Sequence, residues 1–377
     1  MQRNKIRVLF YSEGWGLGGI ETFIMNTVSS LEPTMFDCTI FTTHDWSSVH
    51  DTELEQLGVR RITVFSGRKP PQLRRITASL SAWKHLLRSE HFDIVHINTM
   101  NGLGFAYAKA ARGLVPVRIV HSHNSQYGAG HAFAKYLVHH AASKLWGNSA
   151  TARLACSDAA GRYLFGKQDY SVIVNGANPS VFHYDEAQRK RTRANLGIGD
   201  DELLIGNVGR LSDSKNPVFL VDVLQELRTH AVSAKLMLIG EGPEKQQVLE
   251  RAKQYHLEDK VLLPGGTNHP AFFYSALDVF TMPSLFEGAP FAPIEALACG
   301  TPVVCSPGAG LQTLAGEYVH IVPLEPKWWA ENVTRVSEEL PAVGKGWGGD
   351  YIEQQGLTTA QCAERLTELY QQYLSNC

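Results

Sequence analysis

The sequence predicts an α/β protein made of two doubly wound domains, and three observations carry that prediction. Short apolar, β-rich runs recur at 6–12, 36–43, 60–65, 92–98, 117–123, 152–157 and 170–176, and a second series follows at 203–209, 234–240, 261–265, 277–283, 302–306 and 318–323. Helical stretches such as 20–31, 73–88 and 131–146 separate most of the early runs, and this alternation demands parallel strands with crossover helices on both faces. One polar, turn-rich and charged stretch, "NGANPSVFHYDEAQRKRTRANLGIGDDE", joins the two series and reads as a linker plus a short helix. The expected division is therefore a domain at 1–178, a linker at 179–200 and a domain at 201–356, followed by an amphipathic helix at 357–377. In that helix Cys362, Leu366, Leu369, Tyr370 and Tyr373 share one face, which core packing explains.

Length and composition agree with this division. A chain of 377 residues accommodates two full cores, and 44% hydrophobic with 19% charged residues describes an ordinary globular protein. No apolar run approaches the about 18 residues of a membrane span. The start "MQRNKIRVLFYS" enters a strand without an apolar leader, so the expected location is the cytoplasm. Six scattered cysteines contain no C-x-x-C pair and read as reduced thiols. Residues 1–178 carry 19 Lys+Arg against 12 Asp+Glu, and the remainder 16 against 25. A basic first half suits an anionic surface or a phosphorylated acceptor. No nucleic-acid reader motif accompanies it, so nucleic acid is not an expected partner.

The stretch "LFYSEGWGLGGIETFI" places Gly14, Gly16 and Gly19 in G-x-G-x-x-G spacing between a strand and a helix. That context suits a pyrophosphate resting on backbone N–H groups. A dinucleotide reading would use Asp45, after the second strand, for the adenosine ribose. The second half offers other chemistry. In "MPSLFEGAPFAPIEALACGTPVV", Glu287 and Glu295 lie eight residues apart. In a helix that interval rises roughly 12 Å, too far for the two carboxylates of a glycosidase at about 5 to 9.5 Å, but right for two parts of one nucleotide sugar. In "GNVGRLSDSKNP", Arg210 and Lys215 follow the first strand of the second domain, where two cations can neutralise a diphosphate. Both also read as solvated loop charges.

Taken together, "VGRLSDSKN", "GEGPE", "PSLFEG", "IEALACGTPVV" and "VNGAN" resemble the family 4 glycosyltransferases of the GT-B fold, and the likeness runs in order from "GGIETF" to the last helix. "GGIETFIMN", "VRIVHSHNS" and "EGAP" resemble, more narrowly, its exopolysaccharide and capsule enzymes. The resemblance implies two Rossmann-like domains facing a cleft, with the last helix crossing back to the first domain. It implies that Arg210 and Lys215 hold the donor diphosphate, Glu287 the sugar hydroxyls and Glu295 the nucleotide ribose. Gly19 would approach the diphosphate, and Gly265 would join the donor-binding set. His121 or His123 would face the sugar near the reacting carbon, and the doublet leaves that choice open. The family's glycine-rich run after the first Glu is "GAPF" here, and Pro290 offers no N–H, so the phosphate cradle falls to Gly288, Ala289, Phe291 or Ala292.

The expected activity is that of a retaining transferase, moving a sugar from a UDP-sugar to a polysaccharide or lipid-linked acceptor. A nonhydrolysing sugar-nucleotide epimerase of the same fold is the alternative. No cofactor is expected beyond the donor itself. No D-x-D occurs, so no metal site is expected either. In "KPPQLRRITASLSAWKHLLRSEH", Leu73, Ile76, Leu80, Trp83 and Leu87 recur at helical spacing, flanked by Arg74, Arg75, Lys84 and Arg88. The apolar stripe reads as packing on the sheet, and the basic flank as a weak peripheral contact with anionic membrane at the inner face of the cell membrane.

Overall fold

The computed structural model describes residues 5–67, 70–126, 132–199 and 201–377, with backbone alone for 132–138 and 340–343. Residue 131, the first of one expected helix, lies outside the described residues. The chain forms two compact units, Met1–Asn175 together with Thr359–Cys377, and Gly176–Thr358.

The first unit is built on seven strands: β1 (Ile6–Trp15), β2 (Phe36–Asp45), β3 (Arg60–Ser66), β4 (Ile94–Thr99), β5 (Val117–Ser122), β6 (Ala152–Ala155) and β7 (Ser171–Val172). They run parallel in the order β3-β2-β1-β4-β5-β6-β7. The second unit has six: β8 (Leu203–Val208), β9 (Ala234–Ile239), β10 (Val261–Gly265), β11 (Val279–Met282), β12 (Val303–Cys305) and β13 (Val319–Ile321). These are parallel in the order β10-β9-β8-β11-β12-β13. Each is the Rossmann-like half that the alternation of strands and helices predicts. Adjacent strand residues such as Leu9, Ile97, Ile205 and Phe280 are wholly enclosed, because helices cover both faces of each sheet. The strand order reverses beside β1 and beside β8, and in such sheets ligand crevices form at the carboxyl ends next to that reversal.

Three local readings change. First, β1 runs on through Gly14 to Trp15, because Gly14 and Trp15 pair with His44 and Asp45 of β2. Second, the helix Gln72–Ser89 buries Arg75, Ser79, Trp83, Leu86 and Leu87, while Leu73 stays 76% exposed. Arg75 is therefore not part of a basic flank; it turns inward and pairs with Glu13 at 2.8 Å. Third, the linker 179–200 with its short helix is part of the second unit. Within it the helix Glu186–Asn195 sends Arg189 and Arg193 into the second unit, where both grip Asp278, Arg193 at 3.1 Å. Arg189 also donates to Ala276 and Leu277 carbonyls at 2.8 and 3.0 Å, and Asp278 accepts from Leu204 N at 2.7 Å.

The final helix Thr359–Ser375 belongs to the first unit, burying Thr359, Ala363, Leu366 and Tyr370 at intervals of four, three and four. Tyr370 meets Phe36 edge-on at 5.9 Å and hydrogen-bonds His96 at 2.6 Å. Cys362, Leu369 and Tyr373 form the half-buried margins of that face.

Burial alone would raise the pKa of Asp278, but the two guanidiniums and the Leu204 N–H outweigh it and hold the carboxyl below its ordinary value. Its stabilisation is thus complete above the ordinary carboxylate range and is lost as pH falls through the lowered pKa. Removing the carboxylate leaves the buried Arg193 and the half-buried Arg189 unmatched. Asp278→Ala is expected to lower the unfolding free energy by about 3–5 kcal/mol. Urea denaturation at neutral pH measures this, and a loss below about 1 kcal/mol would mean that the arginines are satisfied by carbonyls alone.

Candidate active site

In the second unit, the loops that follow β8, β9, β10 and β11 lie at the carboxyl edge of the sheet. Backbone hydrogen bonds tie them together: Leu211 N to Glu241 O at 3.0 Å, Gly240 N to Gly265 O at 2.9 Å and Leu285 N to Ser214 O at 2.8 Å. The loops touch so closely that a Cβ on Gly240 would lie 2.0 Å from Gly209 O, and Gly240 also holds φ +143°, so only glycine fits there. Gly265 carries φ +90° and ends β10 beside Glu241.

On this scaffold Lys215 and Glu287 meet. The Lys215 ammonium lies 2.7 Å from Glu287 Oε1, both side chains largely sheltered. The sequence assigned them to different parts of a ligand, whereas the structure brings them together as one ion pair joining the β8 and β11 loops. Arg210, five residues before Lys215, is exposed and makes no ion pair among the described residues. It is the cation of this edge left for a ligand.

Gly288, Ala289 and Phe291 are half-buried in the turn after Glu287. The helix that follows, Ala292–Ala298, spans two turns and has Pro293 in its first. Within that helix's first turn Pro293 has no N–H and Glu295 N already bonds Phe291 O at 3.0 Å, which leaves Ala292 and Ile294. Glu295 accepts from Tyr274 OH at 2.7 Å. Part of its side chain keeps solvent access, yet protein atoms crowd the carboxyl closely. That burial pushes its pKa up to about 7, against the opposing pull of the Tyr274 bond. Nothing in "HPAFFYSALDVF" signals Tyr274 as a partner; only the fold places it there.

In the first unit two of the three spaced glycines, Gly14 and Gly16, pack against an indole. A Cβ on Gly14 would lie 2.2 Å from Trp46 Cη2, and one on Gly16 2.0 Å from Trp46 Nε1. These two glycines seat an indole that is itself 56% exposed. Gly19 opens the helix Gly19–Ser30 with nothing within 4 Å of its missing side chain. That helix start already faces a carboxylate, the buried Glu21. Burial raises its pKa to about 7, opposed by its own backbone N–H and by Ser12. Asp45 is bound to Arg61 at 3.0 Å and to Ser66 at 3.3 Å, so it is not available to an adenosine ribose.

The two histidines also separate. His121 has no exposed surface and lies beneath Phe23 and His123, with ring centroids at 4.8 and 4.1 Å. Its Nδ1 pairs with His96 Nε2 at 3.0 Å, and His96 Nδ1 pairs with Tyr370 OH. His121, expected as an alternative ligand contact, is therefore a core residue, because β5 still runs under the helix at that point. His123, beyond the end of β5, keeps partial access. Asn98 Nδ2 donates to Tyr11 O at 3.2 Å, which turns Asn98 Oδ1 toward His123 Nε2 at 2.8 Å. Since Oδ1 can only accept, His123 carries its proton on Nε2 and presents Nδ1 as an acceptor. Burial lowers its pKa to about 3, so the ring is neutral. Sequence reading passed over His96 and Asn98. Their signal was two polar residues at alternate positions of an apolar strand, with Asn98 in register with His121 on the next strand.

Among the described residues, no three His, Cys, Asp or Glu side chains converge to hold a metal ion, and no helix is long and apolar enough to cross a membrane.

Paired Rossmann-like halves with this donor-side loop cluster define a glycosyltransferase of the GT-B class. Residues 17–181 match Glycosyltransferase Family 4, and residues 188–340 match glycosyl transferases group 1. The putative glycosyltransferase EpsF of Bacillus subtilis is 30% identical over 346 residues, 89% of each chain. The chain belongs to glycosyltransferase family 4. An alpha-monoglucosyldiacylglycerol synthase of Streptococcus pneumoniae is 24% identical over 321 residues, covering 80% of this chain and 70% of that one. In fold the chain resembles Anabaena HepE, solved with UDP and glucose, at a TM-score of 0.80 and 18% identity over 97% of this chain and 99% of that one.

The histidine geometry is testable without a ligand. The His123 ring is expected to stay neutral and Nε2-protonated from pH about 8 down to about 5, well above its depressed pKa. Nitrogen-15 NMR of the imidazoles reads both properties. Asn98→Ala is expected to release the tautomer while the ring stays neutral, since burial sets its lowered pKa; an unchanged tautomer would remove Asn98 from this role.

Proposed function

We propose that this enzyme transfers a sugar, with retention, from a UDP-sugar to a hydroxyl of a polysaccharide or lipid-linked acceptor, without a metal ion. The observation that carries the reading is the Lys215–Glu287 pair, fixed between two braced loops with the exposed Arg210 in the same stretch. Glycosidic cleavage builds negative charge on the departing diphosphate, and cations already in place stabilise it without reorganising. Arg210 supplies a planar guanidinium for two phosphate oxygens, and Lys215 has N–H groups beyond the one held by Glu287. Glu287 binds the sugar hydroxyls, and Glu295 accepts from the ribose diol. In the first unit His123, not His121, takes part through the Nδ1 lone pair.

UDP and glucose in HepE support the choice of donor, and the lipid named for the Streptococcus relative supports a lipid-linked acceptor. The acceptor would be met in the cytoplasm at an anionic inner membrane face, to which Arg74, Lys84 and Arg88 stand exposed.

A panel of nucleotide sugars assayed for UDP release with a lipid-linked acceptor extract tests the reading; no release with any donor would refute it. Arg210→Ala and Lys215→Ala should each lower kcat/KM at least ~100-fold, about 2.7 kcal/mol of transition-state stabilisation, with the fold retained. Activity should survive EDTA. Complete loss on chelation, restored by Mg²⁺ or Mn²⁺, would replace the cation clamp with a metal.

The raised pKa of Glu295 fixes the sign of a pH effect. Ionised above about 7, the carboxylate accepts two ribose hydroxyls; protonated below, it loses acceptor strength. UDP affinity is expected to fall as pH drops through about 7, and to lose that dependence in Glu295→Gln. Calorimetric titration with UDP across that range measures it.

A further inference from the structure

Arg75 poses a problem that the donor chemistry leaves unsolved. A guanidinium with 8% exposure is costly to shelter without full pairing, yet its ion-pair partner Glu13 is half in solvent. Only Arg75 Nη2 reaches Glu13, at 2.8 Å, and no other hydrogen bond of the guanidinium occurs among the described residues. The pair lines a cavity of about 80 Å³ inside the first unit, at the carboxyl ends of β1, β2 and β4. At roughly 10–15 Å³ per water, it holds about five to eight waters, too few for a nucleotide or a lipid chain.

Its floor and its rim differ in chemistry. On the floor, the hydroxyls of Tyr11, Thr43 and Tyr107 are tied to one another and to Ser79, with Thr43 to Ser79 and Ser79 to Tyr107 both at 2.8 Å. Those groups are satisfied internally. On the rim, Asn101 uses Oδ1 for Leu103 N at 2.9 Å, and among the described residues its amide donors and both amide functions of the exposed Gln72 have no partner. The rim thus offers donors from Arg75, Asn101 and Gln72 and acceptors from Glu13 and Gln72. An anion wants donors alone and would be repelled by Glu13. A ligand whose groups both donate and accept matches the whole set, and adjacent sugar hydroxyls are such groups. The tilted Tyr11 and Tyr107 rings, 4.0 Å apart, add apolar surface for ring C–H groups.

We propose that this cavity is a subsite for the hydroxyl edge of a neutral sugar residue of the acceptor. It rests on the transferase reading above and names one part of the acceptor as glycan. Arg75 and Glu13 are its specificity-determining pair, each orienting the other for a vicinal diol. Ala106 lines the cavity from the helix Gly104–Ala110. It is half-buried, so a larger side chain there fills the space without removing a polar group.

Saturation-transfer NMR with methyl glycosides of glucose, galactose and N-acetylglucosamine, and with methyl glucuronide as the anionic comparison, tests this on the full chain. At least one neutral glycoside is expected to bind wild type, with affinity at least tenfold weaker in both Ala106→Phe and Gln72→Ala. Circular dichroism melts establish that the variants fold, and UDP titration of the same samples is expected to be unchanged. No neutral glycoside bound, equal binding to both variants, or binding of the glucuronide alone would each overturn the subsite. UDP failing to bind wild type would instead count against the transferase reading, whatever the glycosides do.

Discussion

Every strand in both units hydrogen-bonds only to parallel neighbours, and that constraint decides where chemistry can sit. Parallel strands must return through crossovers, so the two edges of each sheet become unlike, and loops gather at the carboxyl edge. In the second unit that edge is made rigid by backbone pairing between loops and by glycines that let them touch. Lys215 and Glu287 are separated by more than seventy residues of chain yet meet, because β8 and β11 are sheet neighbours. At the opposite, amino-terminal edge, Asp278 ties the start of β11 to β8 and to the segment 186–195, so one carboxylate registers the unit from below.

The two units use opposite electrostatic strategies. The first gathers His96, His121 and His123 where β4 and β5 adjoin, and burial keeps all three neutral. Neutral imidazoles can be packed ring against ring, with hydrogen bonds setting which nitrogen carries the proton. The second unit relies on ionised groups, Lys215 with Glu287 and Asp278 with two arginines. Charges there are held by direct partners, so the unit presents cations to an anionic ligand without the cost of unpaired burial. Glu295 lies between these regimes, its only hydrogen-bonding side-chain partner among the described residues being the uncharged Tyr274.

Much of this was legible in the residues. Alternating apolar runs and helical stretches placed the thirteen described strands, two loop cations just past a strand drew attention to Arg210 and Lys215, and two carboxylates in a largely apolar motif to Glu287 and Glu295. What stayed hidden depends on partners far away in sequence. Gly14 and Gly16 look like a phosphate loop until Trp46, on the neighbouring strand's extension, is seen to cover them. Arg75 is indistinguishable from Arg74 until the helix phase is fixed by Trp83 and Leu87 packing inward. The polar segment 179–200 reads as a linker because its arginines find Asp278 only after folding. Local pattern reports element type well; it does not report which face an isolated charge will take.

The tie between Tyr370 and His96 has a consequence for how the molecule is made. The first unit is discontinuous in the chain: its last helix, which covers Phe36 and completes the hydrogen-bond chain through His96 to His121, emerges from the ribosome only after all of Gly176–Thr358. At typical synthesis rates that interval lasts roughly ten to forty seconds. During it the nascent first sheet holds an uncovered apolar strip and an unsatisfied imidazole. The second unit, continuous in sequence, waits for no later segment. The N-terminal unit thus receives its last covering helix only after the whole of the second unit has been synthesised.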